Sequence, residues 1–484
     1  MSGDTLSAKA AVESAALEGV VERARPALLT YRRALLYSLG AFAAALVLAL
    51  AGIVLTKAGA HLFLPISTLL AITVAFLYTI WSASTAWLRS LVIPVLSLIT
   101  ALIIAGLIIV ATDQKVMAAL PTFQKNPRTT LEAAWEALKA AYIALLHGSV
   151  GDPVKISEAI ETWILEGDGR PMLSALRPFG EGLVNSVPLI FAGLAVALGF
   201  QAGLFNIGAE GQLILGGLCS VVVGYTIPGL PWVVHLPLAL LAGALAGGLW
   251  ASIAGFLKAR TGAHEVINTI MLNYVAIHLT EWLLKELQPI KGTHRTPDIL
   301  PSAYLPRLFP HPLRINAGFI LALLAALLIH WLLYKTTWGF ELRTVGANPD
   351  AARYGGMSIA KNIVLAMFIS GALAGLGGAG VSLGITHNMT LGFSAGYGFD
   401  SIALALLGGG RPLGVVLASI LFGALKAGGT RMQSTAAIPT ELIQIMQAMV
   451  IAFIAAPAII RTIYRLKAER AELAPTFTRG WGQH

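Results

Sequence analysis

The chain alternates long apolar runs with short polar interruptions, and the runs have the length of membrane crossings. No Asp, Glu, Lys or Arg occurs from Gly211 to Leu257, nor from Asn362 to Phe399. A helix crosses the hydrocarbon core with about 20 apolar residues, so the first run predicts two crossings joined by a tight turn. Pro228, Gly229, Leu230 and Pro231 place that turn. A buried helix of a large soluble protein accounts for one such run but not for this many. The same pattern predicts crossings at 34–55, 62–81, 90–110, 183–201, 212–226, 236–257, 266–284, 316–334, 362–383, 401–407, 412–427 and 442–460. The run at 401–407 is too short to cross alone. Taken as half of a broken helix pair turning at 408–412, it keeps the number of crossings even. The expected fold class is all-α: a polytopic transmembrane helical bundle of about 12 membrane segments, one or two of them discontinuous.

Three interruptions are long enough to be loops. Residues 111–182 are polar, with Asp113, Glu132, Glu136, Glu158, Glu161, Glu166 and Asp168 among their charges, and alternation places them outside. Within them 130–147 has the Ala, Leu, Glu and Lys content of an amphipathic helix. Residues 285–315, rich in proline, form a second outside loop, and 335–361 face the cytoplasm.

Composition supports the membrane reading. The chain of 484 residues is 56% hydrophobic and 12% charged, with a mean hydropathy of +0.76, whereas a soluble domain is about 25% charged. A net charge of +9 raises nucleic acid as a partner, but its placement argues against that. Arg23, Arg25, Arg32 and Arg33 precede the first crossing, and Arg461, Arg465, Lys467 and Arg470 follow the last. This is positive-inside topology with both termini cytoplasmic. Cys219, in an apolar run, allows neither a disulfide frame nor a cysteine metal site. The run at 34–55 is too long for a signal-peptide core and reads as a retained span. The expected organisation is a cytoplasmic tail (1–33), an N-terminal hairpin (34–89), a core (90–460) and a second cytoplasmic tail (461–484).

Four polar segments carry candidate chemistry. From Gly203 to Gln212, three glycines, Asn206, Glu210 and Gln212 itself interrupt an apolar region. Irregular backbone at membrane depth survives only inside protein or beside a water-filled cavity, so this is either a helix break lining a translocation path or an ordinary cytosolic turn. Asn268 and Asn273 lie on the next predicted helix, offset by about 140°. Buried amides need hydrogen bonds, and these two have either a polar substrate or neighbouring helices as partners. His264 and Glu265 read as a helix start and not as a zinc pair, because position 268 is Asn. In the cytoplasmic loop, Asn348 is placed to cap a short helix, with Pro349 at its first position and Asp350 at the positive end of its dipole. That helix either ties the loop down or docks in a groove on a soluble partner. Asp400, at the outer edge of the short 401–407 run, either caps that helix or faces the pathway. The chain contains no G-x-x-x-x-G-K-[ST] phosphate loop.

Together these segments resemble the membrane permeases of bacterial ABC importers for nucleosides, relatives of the ribose and branched-chain amino acid permeases. The resemblance is carried by Asn185–Ala197 through Gly203–Gln212, His264–Ile267 with Ile270–Tyr274, Val345–Arg353, and Ala403–Gly414. It runs from about residue 90 to 460. It implies a subunit that moves nucleosides across the cytoplasmic membrane by alternating access and binds no cofactor itself. Its expected partners are a homologous second permease, ABC ATPase subunits that carry ATP and magnesium, and an extracytoplasmic substrate-binding protein or lipoprotein. Gly346, Asn348, Pro349, Asp350, Ala352 and Arg353 then belong to the helix that couples to the ATPase. Asn206, Glu210, Gln212, Asn268, Asn273 and Asp400 become pathway or gating residues. The hairpin at 34–81 is extra to the family pattern, and the segment 152–182 is lengthened. A permease for simple sugars or branched-chain amino acids is the nearest alternative. An ion-coupled secondary transporter is disfavoured by the few ionisable groups in the spans.

Overall fold

A computed structural model describes residues 86–465 except 287–289 and 291. The expected crossings at 34–55 and 62–81 lie outside the described residues. The bundle is formed within the unit that begins at Ser97. The helices, in chain order, begin with α1 (Ala86–Thr112), α2 (Gln114–Ala119), α3 (Pro127–Ser149), α4 (Pro153–Glu166), α5 (Arg170–Ala175) and α6 (Arg177–Gln201). Next come α7 (Ala209–Thr226), α8 (Trp232–Thr261), α9 (Glu265–Glu286), α10 (Ala317–Lys335), α11 (Thr337–Ala347) and α12 (Pro349–Tyr354). The last are α13 (Ile359–Val381), α14 (Tyr397–Leu407), α15 (Pro412–Ala436), α16 (Thr440–Ala455) and α17 (Pro457–Ile463). Among the described residues, six helices are long and apolar enough to cross a membrane: α1 from Pro94, α6, α8, α10, α13 (extended to Thr386) and α15.

The most hydrophobic window of α6 is 89% buried, and the helix is touched by α10, α13, α14 and α15. It is the axis of the bundle. Outward faces are apolar in the manner of lipid-facing helices: Leu241, Leu245, Leu249 and Ile253 at i, i+4 spacing on α8, and Leu324, Leu327, Leu328 and Trp331 on α10. The opposite face of α8 is built of small residues. Gly243 and Gly247 lie against the backbone of α13 at Gly371 and Gly375, and Gly216 of α7 lies on Gly375. Lipid offers no hydrophobic drive for helices to associate, so such backbone-to-backbone packing is what holds them. The expected turn between α7 and α8 falls at 227–231.

Two features extend the expected arrangement and one departs from it. The amphipathic helix expected at 130–147 is present as α3, but it packs along the bundle. Tyr142 donates its hydroxyl to the Leu102 carbonyl of α1, and Ser149 donates to the Ala424 carbonyl of α15 at 2.9 Å. The crossing expected at 442–460 is two helices, α16 and α17, bent by 85°. Pro457 has no N–H to donate and disfavours helical backbone at Ala456, which sits at φ −117°, ψ 69°. The proline-rich loop before α10 is latched to the chain that follows α13. Ile299 N donates to the His387 carbonyl at 2.8 Å, Thr296 N donates to the Met389 carbonyl at 3.0 Å, and Asn388 Nδ2 donates to Asp298 at 2.8 Å.

Candidate functional site

Helix α6 stops at Gln201, and Gly203, with φ +68°, turns the chain back on itself. The following segment re-enters the bundle. Asn206 Nδ2 donates to Ser370 Oγ at 2.8 Å, and Ser370 Oγ donates to the Ala195 carbonyl at 2.6 Å. Ala195 lies six residues before the end of α6, about 9 Å inside it at 1.5 Å per residue. The interruption is therefore packed inside the bundle, with Asn206 fully buried.

Its amides bond to one another and to the backbone. Gln212 Nε2 donates to Asn206 Oδ1 at 3.0 Å, while Asn206 Nδ2 donates to Gln212 Oε1 at 2.9 Å. Gly208 N donates to Asn206 Oδ1 at 2.9 Å. From α9, Asn273 Oδ1 accepts from Gly211 N and Asn273 Nδ2 donates to the Ile207 carbonyl, both at 2.9 Å. Asn206, Gln212 and Asn273 are each no more than 1% exposed. Asn268, earlier on α9, differs: its Nδ2 is buried without a hydrogen-bond partner among the described residues.

Glu210 joins this break to the half-length helix α14. Its Oε2 accepts from Gly398 N at 2.7 Å. A carboxylate is well suited to the N-terminus of a helix, where backbone N–H groups are unpaired and the dipole is positive. Here the N-termini of α7 and α14 meet around one carboxylate. Gly398 is needed for that approach, since a Cβ there would strike the Ala209 and Glu210 backbone. Asp400 does not cap α14, whose cap position is Gly396 with no side-chain hydrogen bond. It pairs instead with Lys426 of α15 at 2.8 Å, and Lys426 also lies over the Tyr397 ring at 4.5 Å.

The loop at 335–361 forms a second structured element. Asn348 caps α12 by accepting from Asp350 N at 3.0 Å and Ala351 N at 3.1 Å, with Pro349 at the first position. Ala352 is fully buried, whereas Tyr354 at the end of the helix is 98% exposed. Asp350 and Arg353 are solvent-facing and 3.9 Å apart. The loop is tied down by Asn362 Nδ2 donating to Glu341 at 3.0 Å and Arg343 Nε donating to the Leu333 carbonyl at 3.0 Å. Gly346 meets the polar break directly: a Cβ on Gly203 would lie 2.7 Å from Gly346 Cα. The predicted coupling segment and the predicted pathway segment therefore share a backbone contact.

Residues 179–455 match the family described as branched-chain amino acid transport system / permease component. The chain belongs to this permease family. It is 45% identical over 289 residues to the guanosine ABC transporter permease protein NupP of Bacillus subtilis, covering 59% of this chain and 82% of that one. It is 35% identical to the nucleoside ABC transporter permease protein NupB of Lactococcus lactis, covering 62% and 86%. With the glucose ABC transporter permease protein TsgB13 of Haloferax volcanii it shares 39% identity over 68% and 90%. No solved structure matches. The permease is a multi-pass membrane protein, a transport component by family.

Local pattern in the permease sequence does not single out Ser370 or the Lys258–Glu265 pair, 2.6 Å apart, whereas Lys426 was open to be read and was missed. A serine in an apolar run gives no signal, but a lysine 15 residues into a hydrophobic helix does, because an ionisable group at that depth is costly without a partner. Lys426→Met leaves Asp400 unpaired and is expected to destabilise the permease by about 2 kcal/mol, below the cost of a fully buried broken pair. Adding Asp400→Asn is expected to restore most of the loss. Thermal unfolding of the two variants checks this, and equal destabilisation by both contradicts the pairing. Glu210→Gln replaces a charge-assisted hydrogen bond by a neutral one, worth about 1 kcal/mol less. It is expected to leave the permease in the membrane while uptake per molecule falls severalfold. Normalised uptake equal to wild type returns Glu210 to a passive role.

Proposed function

We propose that the chain is the membrane-spanning permease subunit of an ATP-driven importer, moving nucleosides across the cytoplasmic membrane by alternating access. The observation that carries this is the 45% identity to a guanosine permease across 82% of that protein's length. In this reading the permease has about 12 membrane segments, cytoplasmic termini, and the domain limits expected above. The end bearing α12 faces the cytoplasm and docks on an ATPase subunit that carries ATP and magnesium. Asn348 and Pro349 shape that helix, Asp350, Arg353 and the exposed Tyr354 meet the partner, and Gly346 passes the movement to Gly203. Asn206, Gln212 and Asn273 form the gate, closed in this conformation, and rearrange as a unit. Asn268, Glu210 and Asp400 lie on the path that opens.

A second, homologous permease completes the pathway. Leu391 and Gly392 stand exposed on the chain leading into α14, with Phe399 exposed on the first turn of that helix, and irregular backbone at membrane depth has to be covered by protein or line a water-filled cavity. A binding protein or lipoprotein delivers substrate at the opposite end. The glucose permease relative supports a second reading, transport of simple sugars.

Competition separates the two. Uptake of labelled guanosine is expected to be suppressed by excess nucleosides and unaffected by glucose or leucine. Uptake of labelled glucose in place of guanosine would replace the nucleoside reading with the sugar one.

A further inference from the structure

Where α6, α15 and the chain leading into α10 come together, the permease holds a cleft of about 480 Å³, within the range of small-molecule sites. It lies at the end opposite the coupling segment. Gln201, at the other end of α6, donates to the Gly410 carbonyl at 3.0 Å, so the start of α15 is at the coupling end and its last turns are at the far one. Ala427 in the lining follows Lys426 of the Asp400 pair, which places the cleft directly above the half-helix junction.

Its polar lining is unevenly paired. Glu181 takes Arg314 at 3.1 Å and Arg177 at 4.0 Å. Arg431 and Asn185 also line the cleft, and among the described residues neither side chain has a hydrogen-bond or ion-pair partner. Three guanidinium groups against one carboxylate leave an excess of donors. Arg431 is half-buried on α15, and a planar guanidinium with free N–H groups is matched by a ligand edge with two adjacent acceptors.

We propose that this cleft receives the nucleoside on the far side of the permease, and that Arg431, assisted by Asn185, selects bases with paired acceptors. The inference rests on the nucleoside reading above. Guanine and hypoxanthine present O6 and N7 side by side, the pair that arginine reads with two hydrogen bonds. Adenine puts an amino donor where O6 would be, which sets donor against donor. Guanosine and inosine are therefore preferred over adenosine at this site, before any selection by a binding protein is counted.

The test uses the assembled transporter in lipid nanodiscs without its binding protein, with saturation-transfer NMR reporting weak contacts of guanosine, inosine and adenosine. Wild type is expected to give strong guanosine and inosine signals and a weak adenosine signal. Arg431→Gln is expected to reduce the guanosine signal about tenfold, and Arg431→Lys, which keeps the charge but not the fork, is expected to reduce it nearly as much. Basal ATP hydrolysis by both variants reports that they are folded. An unchanged guanosine signal in Arg431→Gln overturns the proposal, as does equal binding of adenosine by wild type. With the binding protein added back in a parallel assay, a variant that loses only its attachment to that protein also overturns the proposal, making the cleft a protein-docking surface. Guanosine uptake by the wild-type transporter is measured in parallel: uptake with no effect at Arg431 refutes the cleft alone, whereas no nucleoside uptake refutes the functional reading beneath it.

Discussion

Gly375→Leu is expected to leave almost no folded permease in the membrane. Gly375 sits at the crossing of α7, α8 and α13, where a single added Cβ meets the Gly243 carbonyl carbon at 3.1 Å and Gly247 Cα at 3.2 Å. Both obstacles are backbone and neither has a rotamer to change. Relief requires α8 and α13 to move apart along the seam that Gly243, Gly247 and Gly371 make possible. Overpacking a rigid core costs about 3 kcal/mol or more. In lipid, separated helices recover no hydrophobic stabilisation by staying near each other. The expected result is a loss of at least about tenfold in the yield of monodisperse protein after detergent extraction, in line with that cost. Gly169→Ala is the control, because its nearest neighbour is 3.9 Å from the added Cβ. Wild-type yield of Gly375→Leu contradicts the close helix crossing.

Replacing Asn348 and Pro349 by Ala and Gly is expected to abolish transport while sparing the fold. Loss of the cap removes two hydrogen bonds to backbone N–H groups, worth about 1 kcal/mol. Glycine in place of proline adds up to about 1 kcal/mol through the greater freedom of the unfolded segment. A helix of six residues has little stability of its own, so this loss melts α12. The clamps at Asn362–Glu341 and Arg343–Leu333 and the Gly346–Gly203 contact are untouched, so the bundle persists. In proteoliposomes carrying the ATPase, hydrolysis stimulated by loaded binding protein is expected to fall to the basal rate, and uptake with it. Stimulated hydrolysis at the wild-type rate contradicts docking through this helix.

Much of the bundle is legible in the pattern of apolar runs, because length and charge exclusion are read residue by residue. The tight turn at 227–231, the half-length helix at 397–407 and the cap at Asn348 all follow from local chemistry. What is not legible depends on partners distant in sequence. Asn206 and Ser370 are 164 residues apart, and Glu210 and Gly398 are 188 apart, so no window contains both. Local chemistry favours a cap for Asp400 for the same reason: its true partner, Lys426, lies on another helix. Proline chemistry is readable in principle at Pro457, where the single expected crossing bends by 85°. The packing of α3 on the bundle is not, since an amphipathic face does not say what covers it.

The energy source separates an ATP-driven importer from a secondary transporter. Proteoliposomes holding the permease, its second permease chain, the ATPase and the binding protein are loaded internally or externally with ATP and supplied with labelled guanosine. Accumulation that requires ATP on the α12 side and survives collapse of proton and sodium gradients by ionophores is the predicted result. Accumulation that proceeds without ATP and disappears with the ion gradient would contradict the importer reading and make the chain a secondary transporter.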